Sequence, residues 1–127
     1  MKHDINDRND IRRLVDTFYD HVVDDPLIGP LFTEVARVNW EQHLPVMYAF
    51  WSTLLLKERS YAGNPMAVHA ALNRKQTLRA EHFDAWVRLF HAAVDELFEG
   101  RNAEAAKTRG AQIAQLMLHR MRESETM

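Results

Sequence analysis

The sequence of 127 residues contains no cysteine, and it has only four glycines and four prolines. The lack of cysteine excludes disulfides, cysteine-based zinc sites, thiol catalysis and iron–sulfur clusters held by cysteine. The scarcity of glycine and proline leaves too few turn residues for a sandwich or barrel of many short strands. The 16 basic and 18 acidic residues give a net charge of −2, which disfavours non-specific binding to nucleic acids or anionic membranes.

No apolar run approaches the ~20 residues that a membrane-spanning helix needs. The first eight residues lack the apolar stretch of a secretory signal, so we expect a soluble, cytoplasmic protein without membrane insertion. The length predicts one domain over residues 1–127, since domains commonly have ~100–150 residues. Hydrophobic residues make up 46% of the chain and recur at helical spacing, which predicts an all-α fold.

The first half of the chain predicts two helices joined by an apolar connector. A helix over residues 10–24 is expected to end at Asp25, because a proline follows it and disfavours helical geometry. In the connector, Leu31 and Phe32 are expected to reach into the core. The second helix is expected to begin after Asn39, which resembles a capping box together with Gln42.

Capping signals predict three more helices in the second half. Asn64, followed by a proline, is expected to cap a short helix after a turn over residues 60–64, and a polar loop is expected over residues 73–79. We expect a fourth helix over residues 80–99 with Gly100 as its C-cap, and a fifth helix capped by Asn102. Gly110 inside the fifth helix indicates close helix packing, on an apolar face formed by Ala106, Ile113, Leu116, Met117 and Met121.

Histidine is the residue type with the clearest ligand potential. The sequence has no His-x-x-x-His or Glu-x-x-His spacing, which disfavours a di-iron site in a helix bundle and a zincin-type zinc site, and it has no phosphate-binding glycine motif. His43 and His69 share helix faces with large apolar residues, and each lies one turn from a methionine. Taken singly, each is explained by a buried histidine with a satisfied hydrogen bond. Together they favour a flat apolar cofactor, and haem is the candidate. The remaining histidines have polar neighbours and are expected to be solvated: His3, His21, His82, His91 and His119.

Five motifs in order along the chain resemble those of the group III truncated haemoglobins. They are Phe18-Tyr19, Gly29-Pro30-Leu31-Phe32, Trp40-x-x-His43-Leu44-Pro45-x-Met47-x-x-Phe50-Trp51, Tyr61-x-Gly63-x-Pro65-Met66-x-x-His69, and Phe83-x-x-Trp86-x-x-Leu89-Phe90. The resemblance extends over residues 11–118, and the chain lacks the paired glycines that other truncated-haemoglobin groups carry. It implies a truncated globin fold, a two-over-two α-helical sandwich around one haem b (iron protoporphyrin IX).

The resemblance also implies roles for particular residues. His69 matches the family's proximal iron ligand, and Tyr19 and Trp86 match the distal hydrogen-bond donors. His43 matches a distal histidine that opens or closes access, and Phe32 matches the phenylalanine that packs against the haem. Further haem contacts are expected from Met47, Phe50, Trp51, Met66, Leu72, Phe83 and Phe90.

Two basic residues stand where family members often have a short proline-containing stretch. Arg74 and Lys75 follow the helix of the proximal histidine, and we expect them to pair with haem propionates, because Arg and Lys pair readily with carboxylates. The alternative is a solvated basic loop without contact to the cofactor.

The function implied by the resemblance is reversible binding of O2, and of other diatomic ligands such as NO and CO, at a five-coordinate haem iron. One alternative is a haem enzyme that detoxifies NO or peroxide in the manner of a dioxygenase or peroxidase. Such an enzyme needs a separate reductase, because the chain has no flavin- or nicotinamide-binding motif. Another alternative is a haem-free globin-like module for sensing or protein interaction. We expect a monomer or a weak homodimer.

Overall fold

The computed structural model describes residues 2–57, 61 and 63–125, with side chains up to residue 122. The elements in order are α1 (Arg8–Asp24), a π-helical turn (Leu31–Val35), α2 (Trp40–Leu56), α3 (Pro65–Lys75), α4 (Ala80–Leu97) and α5 (Arg101–Glu125). No strand occurs in this described part of the chain, so the predicted all-α fold is confirmed. Its helices include none that is long and apolar enough to span a bilayer.

The first helix begins two residues earlier than predicted. The Asp7 carboxylate accepts the backbone N–H of Asp10 at 3.0 Å, which satisfies a free donor of the first turn. The helix ends before Asp25, whose carboxylate accepts the N–H groups of the next turn at 3.0 and 2.9 Å. Its predicted apolar face is buried and consists of Ile11, Leu14, Val15, Phe18 and Val22.

The connector enters the core as expected. Leu31 is buried and Phe32 is half-buried against the core, both within the π-helical turn. Asn39 then caps α2, because its side-chain oxygen accepts the N–H of Glu41 at 3.1 Å. The helix ends at Leu56, and the following residue adopts a left-handed conformation with φ of 60°.

The third helix is longer than the sequence predicts. Asn64 caps it by accepting the N–H of Ala67 at 3.1 Å, and Pro65 is its first residue, as expected. The predicted loop over residues 73–79 is wrong in its first part, since the helix continues to Lys75. Arg74 and Lys75 lie in this last turn, where basic side chains interact favourably with the negative end of the helix dipole. The predicted turn over residues 60–64 lies partly outside the described residues.

The junction between α4 and α5 also differs from expectation. The fourth helix ends at Leu97 instead of reaching residue 99, and Gly100, with φ of 140°, directly precedes α5 instead of closing α4. Asn102 does not cap α5 with its side chain. The Asp4 carboxylate does so from the other end of the chain, accepting the N–H groups of Asn102 and Ala103 at 2.9 Å each.

The apolar face of α5 is shifted from the predicted one. Leu116 is 49% exposed, and the helix buries small residues and methionines at Ala103, Ala106, Gly110, Ala114, Met117 and Met121. The close packing predicted at Gly110 is confirmed. A Cβ atom there would come within 3.0 Å of the Phe90 ring and 3.4 Å of the Trp86 ring. Helix α5 therefore approaches α4 at this glycine.

Aromatic rings form the centre of the core. The fully buried Phe90 ring is stacked between the rings of Trp51 and Trp86, with centroid distances of 4.6 and 5.2 Å. Phe18 of α1 meets the edges of the same cluster at 5.3 and 5.4 Å. Residues from α1, α2 and α4 are thereby fixed around one wall of the cavity described next.

Candidate cofactor site

An open, largely apolar cavity lies among α2, α3, α4 and α5, beside the π-helical turn. Its empty space is about 920 Å³ with the open mouth included. The residues around it are mostly aliphatic or aromatic, with a few polar groups. They are Tyr19, Ile28, Leu31, Phe32, His43, Met47, Phe50, Trp51, Tyr61, Pro65, His69, Leu72, Leu78, His82, Phe83, Trp86, Ile113, Ala114 and Met117.

Tyr19 and His43 form a hydrogen-bonded pair in the cavity wall. The hydroxyl oxygen of Tyr19, on α1, is 3.0 Å from Nε2 of His43, on the first turns of α2. Burial raises the pKa of Tyr19 far above its usual range, so the side chain is a protonated phenol. Burial, together with the nearby His69, lowers the pKa of His43, so its ring is neutral at pH 7.

Aromatic side chains pack against this pair. The Tyr19 ring meets the rings of Phe32 and Trp40 edge-on, with centroids 5.7 and 5.3 Å apart. Trp40, the first residue of α2, also meets the His43 ring at 5.8 Å. Such contacts restrict both rings, because edge-to-face aromatic pairs are favourable at these distances.

His69 lies on α3 and is oriented by its own helix. Its Nδ1 is 2.7 Å from the carbonyl oxygen of Pro65, one turn earlier. A carbonyl oxygen only accepts, so Nδ1 carries the proton and donates, and the neutral ring has its lone pair on Nε2. Histidines that bind metals are commonly held in this way by a backbone carbonyl. The ring is therefore prepared to act as a ligand through Nε2.

Trp86 borders the cavity from α4. Its indole ring is stacked on Phe90 at an interplanar angle of 9°, and Phe18 packs against it edge-on. The indole N–H is a donor and never an acceptor. The cavity is thus bordered by the side chains of Tyr19, His43 and Trp86 as well as by His69.

The structure brings together most of the residues that the sequence singled out. In addition to these polar groups, Phe32, Met47, Phe50, Trp51, Leu72 and Phe83 line the cavity. Four predicted contacts lie outside the lining: Met66, Arg74, Lys75 and Phe90.

Helix geometry explains the residues that lie outside. On α3, Pro65, His69 and Leu72 are spaced four and three residues apart and share the cavity face, whereas Arg74 and Lys75 are exposed in the last turn. Met66 directly follows Pro65 on the helix, and its side chain does not line the cavity. Phe90 is fully buried behind the wall, between two tryptophan rings.

Several lining residues were missed by the sequence analysis, of which His82 is the most polar. We expected a solvated histidine, but the ring is half-buried and its Nδ1 accepts the N–H of Arg79 at 2.9 Å. Its spacing of four residues from Trp86 is the signal that places these two residues on one face of α4. The polar neighbours of His82 in the sequence hid that signal.

The residues present fit an iron porphyrin. The aromatic and aliphatic walls suit a flat apolar ring, and the lone pair of His69 Nε2 suits its iron. In the described part of the chain, no cluster of three or more His, Cys, Asp or Glu side chains is arranged to hold a bare metal ion. Iron held by His69 would take its other ligands from the cofactor.

Comparison with known proteins identifies the family of the chain. A family model for bacterial-like globins matches residues 3–122, and the chain belongs to that family. It is 27% identical, over 117 residues and 90% of each chain, to the group 3 truncated hemoglobin ctb of Campylobacter jejuni.

Solved structures agree with the fold. The crystal structure of the group III truncated hemoglobin from Campylobacter jejuni has a TM-score of 0.82 at 24% identity, over 95% of each chain. THB1 of Chlamydomonas reinhardtii has a TM-score of 0.70 at 22% identity, over 90% of this chain and 91% of that one. The predicted truncated globin fold and the resemblance to group III truncated haemoglobins are confirmed.

Proposed function

We propose that this protein binds haem b in the central cavity through His69 and reversibly binds O2, and other diatomic ligands such as NO and CO, beside Tyr19, His43 and Trp86. Membership of the globin family supports the binding of haem and of small diatomic gases. The observation that carries the proposal is that His69, with Nδ1 held by Pro65, lines the same apolar cavity as the Tyr19–His43 pair. Haem, when bound, supplies the iron at which a diatomic ligand is held.

The proposed role of His69 follows from its tautomer. Nδ1–H donates a hydrogen bond to the Pro65 carbonyl, so in the neutral tautomer Nε2 carries the lone pair that can bind a metal. The bond also limits rotation of the ring about its side-chain dihedrals. His69 is thereby oriented before the cofactor arrives, which reduces the entropy lost on binding.

The proposed role of Tyr19 and Trp86 is to donate hydrogen bonds to the diatomic ligand. The phenol stays protonated because burial raises its pKa, and the indole N–H carries a proton at all ordinary pH values. Haem, when bound, would draw partial negative charge onto a diatomic ligand, and each of these two donors would then contribute about 1.5–3 kcal/mol to holding it. Such donors slow oxygen release, which suits retention or ligand chemistry better than bulk transport.

The proposed role of His43 is to control the Tyr19 hydroxyl. If Nε2 of His43 donates, the hydroxyl proton of Tyr19 is free to point into the cavity. If Tyr19 donates, its proton is engaged until the His43 ring turns away. In either arrangement the half-buried His43 ring lines the cavity, and we propose that rotation of the ring changes access.

The proposal is tested by absorption spectra of the purified protein reconstituted with haem, recorded in the ferric and ferrous states and with O2 or CO. We expect a haem spectrum for wild type and a changed one for His69→Gly, because the substitution removes the imidazole. Added free imidazole is expected to restore the wild-type spectrum, since the substitution leaves space for it. His21→Gly, which removes an exposed imidazole bonded to Glu96, serves as the matched control.

Two results contradict the proposal. If wild type gives no haem spectrum, the cavity does not bind the cofactor. If the spectrum of His69→Gly equals that of wild type, a different residue holds the iron.

A further inference from the structure

His82 is a polar member of the cavity lining to which the proposed function gives no role. Its ring is half-buried at the start of α4, and Nδ1 accepts the backbone N–H of Arg79 at 2.9 Å. A backbone N–H only donates, so Nδ1 carries the lone pair and the neutral ring has its proton on Nε2. The structure therefore fixes His82 as a hydrogen-bond donor.

Three other polar side chains of the lining already have hydrogen-bond partners within the protein. Tyr19 and His43 are bonded to each other, and Nδ1 of His69 is bonded to Pro65. A porphyrin with carboxylate side chains needs donors near the cavity, because an unpaired carboxylate against apolar walls is unfavourable. The exposed Arg74 lies outside the lining, whereas His82 is part of it.

We infer that His82 binds a carboxylate of the cofactor through Nε2–H and so fixes the orientation of the porphyrin in the cavity. This inference rests on the proposed function, because it assumes a porphyrin in this cavity. A hydrogen bond to a charged acceptor is stronger than one between neutral groups. The bond from Arg79 holds the ring in position, so His82 loses little freedom when the carboxylate binds.

The capping position of His82 allows a matched pair of variants. His82 is the third residue of α4, where Gln and Glu side chains commonly accept the N–H of the capping residue. His82→Gln keeps that acceptor and adds an amide N–H donor. His82→Glu keeps the acceptor but replaces the donor by a carboxylate, which repels a carboxylate of the ligand. Equal thermal unfolding midpoints of the two variants verify that the helix start is intact.

The experiment measures binding of metal-free protoporphyrin IX and of its dimethyl ester to the cofactor-free protein by quenching of tryptophan fluorescence. Without iron, binding does not depend on coordination by His69. We expect His82→Glu to weaken binding of the diacid about 10- to 100-fold and to change binding of the diester by less than about threefold. His82→Gln is expected to bind both porphyrins within about threefold of wild type.

The competing explanation is that Arg74, an exposed residue of α3, binds the carboxylate instead of His82, and charge reversal at Arg74 tests it. Arg74→Glu is expected to weaken diacid binding less than His82→Glu does, since Arg74 lies outside the lining. A larger and diacid-selective effect of Arg74→Glu would overturn the inference, as would equal losses for diacid and diester in His82→Glu.

Failure of the inference and failure of the proposed function give different results. If wild type binds the porphyrins and haem while His82→Glu behaves like wild type, His82 is not the carboxylate partner and the proposed function stands. If wild type binds neither porphyrin nor haem, both are wrong.

Discussion

The Tyr19 hydroxyl oxygen and Nε2 of His43 lie 3.0 Å apart, so two polar groups of the cavity wall are bonded to each other. Both belong to helix faces that are otherwise apolar, and Phe32 and Trp40 pack against both rings. The pair satisfies two hydrogen-bonding groups that would be unfavourable alone among these rings. It also means that the number of donors available to a ligand depends on the direction of one hydrogen bond.

Loss of the Tyr19 hydroxyl is expected to speed oxygen release. In Tyr19→Phe the ring contacts remain while the donor is lost, so the oxygen dissociation rate should rise about 10- to 100-fold, the equivalent of one hydrogen bond to a charged acceptor. The rate is measured by stopped-flow mixing of the oxygenated protein with an oxygen scavenger.

Tyr48→Phe is the matched control for this prediction, because the Tyr48 hydroxyl bonds Asp16 and is not part of the cavity lining. Its oxygen dissociation rate should equal that of wild type. An unchanged rate in Tyr19→Phe would show that the phenol does not stabilise the ligand.

A methyl group at Gly110 is expected to destabilise the protein. In an ordinary helix interior, Gly→Ala stabilises by about 1 kcal/mol. Here the new Cβ would lie 3.0 Å from the Phe90 ring, which is fixed between two tryptophans, and overpacking of this kind costs about 1–3 kcal/mol. We therefore expect Gly110→Ala to lower the free energy of unfolding by up to about 2 kcal/mol, as measured by urea denaturation.

The same substitution in a Phe90→Leu background serves as the control. The smaller side chain leaves room for the methyl group, so Gly110→Ala should be less destabilising there than in wild type. A net stabilisation by Gly110→Ala in the wild-type background would contradict the tight contact between α4 and α5.

Removal of the Asp4 carboxylate is expected to weaken the start of α5. Asp4→Ala leaves the N–H groups of Asn102 and Ala103 without their acceptor, and losses of this type cost about 0.5–2 kcal/mol. Urea denaturation at neutral pH measures the change. Asp95→Ala, which removes an exposed carboxylate bonded to Lys107, should have a smaller effect, since exposed ion pairs contribute about 0–1 kcal/mol.

The contribution of Asp4 should also depend on pH. Burial tends to raise the pKa of this carboxyl, but hydrogen bonds from three backbone N–H groups outweigh burial and lower it below the ordinary value of 3.8. The stabilisation is therefore present above pH 3.8 and is lost as the pH falls through the lowered pKa. The difference between wild type and Asp4→Ala should shrink in that acid range, and a difference independent of pH would contradict this origin.

Local signals in the sequence were reliable where the interaction itself is local. Asn39 and Asn64 cap their helices as predicted, because the N–H groups that they accept lie two and three residues away. The grouping of Tyr19, His43, Trp86 and His69 around one cavity was expected from the family resemblance. Helical spacing alone left each of the two histidines explainable as an ordinary core residue.

Interactions between distant parts of the chain could not be predicted from spacing. Asp4 and Asn102 are 98 residues apart, and no local pattern shows that an acidic residue near the start of the chain caps the last helix. Ile5, beside it, is fully buried although its neighbours are polar. His82 was misjudged for a different reason, because its polar neighbours in the sequence masked its helical spacing from Trp86.

The third helix forms part of the cavity wall. None of the eleven residues of Pro65–Lys75, all of which the structure describes, is fully buried, yet this helix carries His69. Pro65 and Leu72 line the cavity on the same side of the helix. A ligand seated there would supply the apolar partner that other helices find in amino acid side chains. If the proposed cofactor binds there, folding of α3 and occupancy of the cavity should be thermodynamically linked, since the ligand would complete a second hydrophobic core.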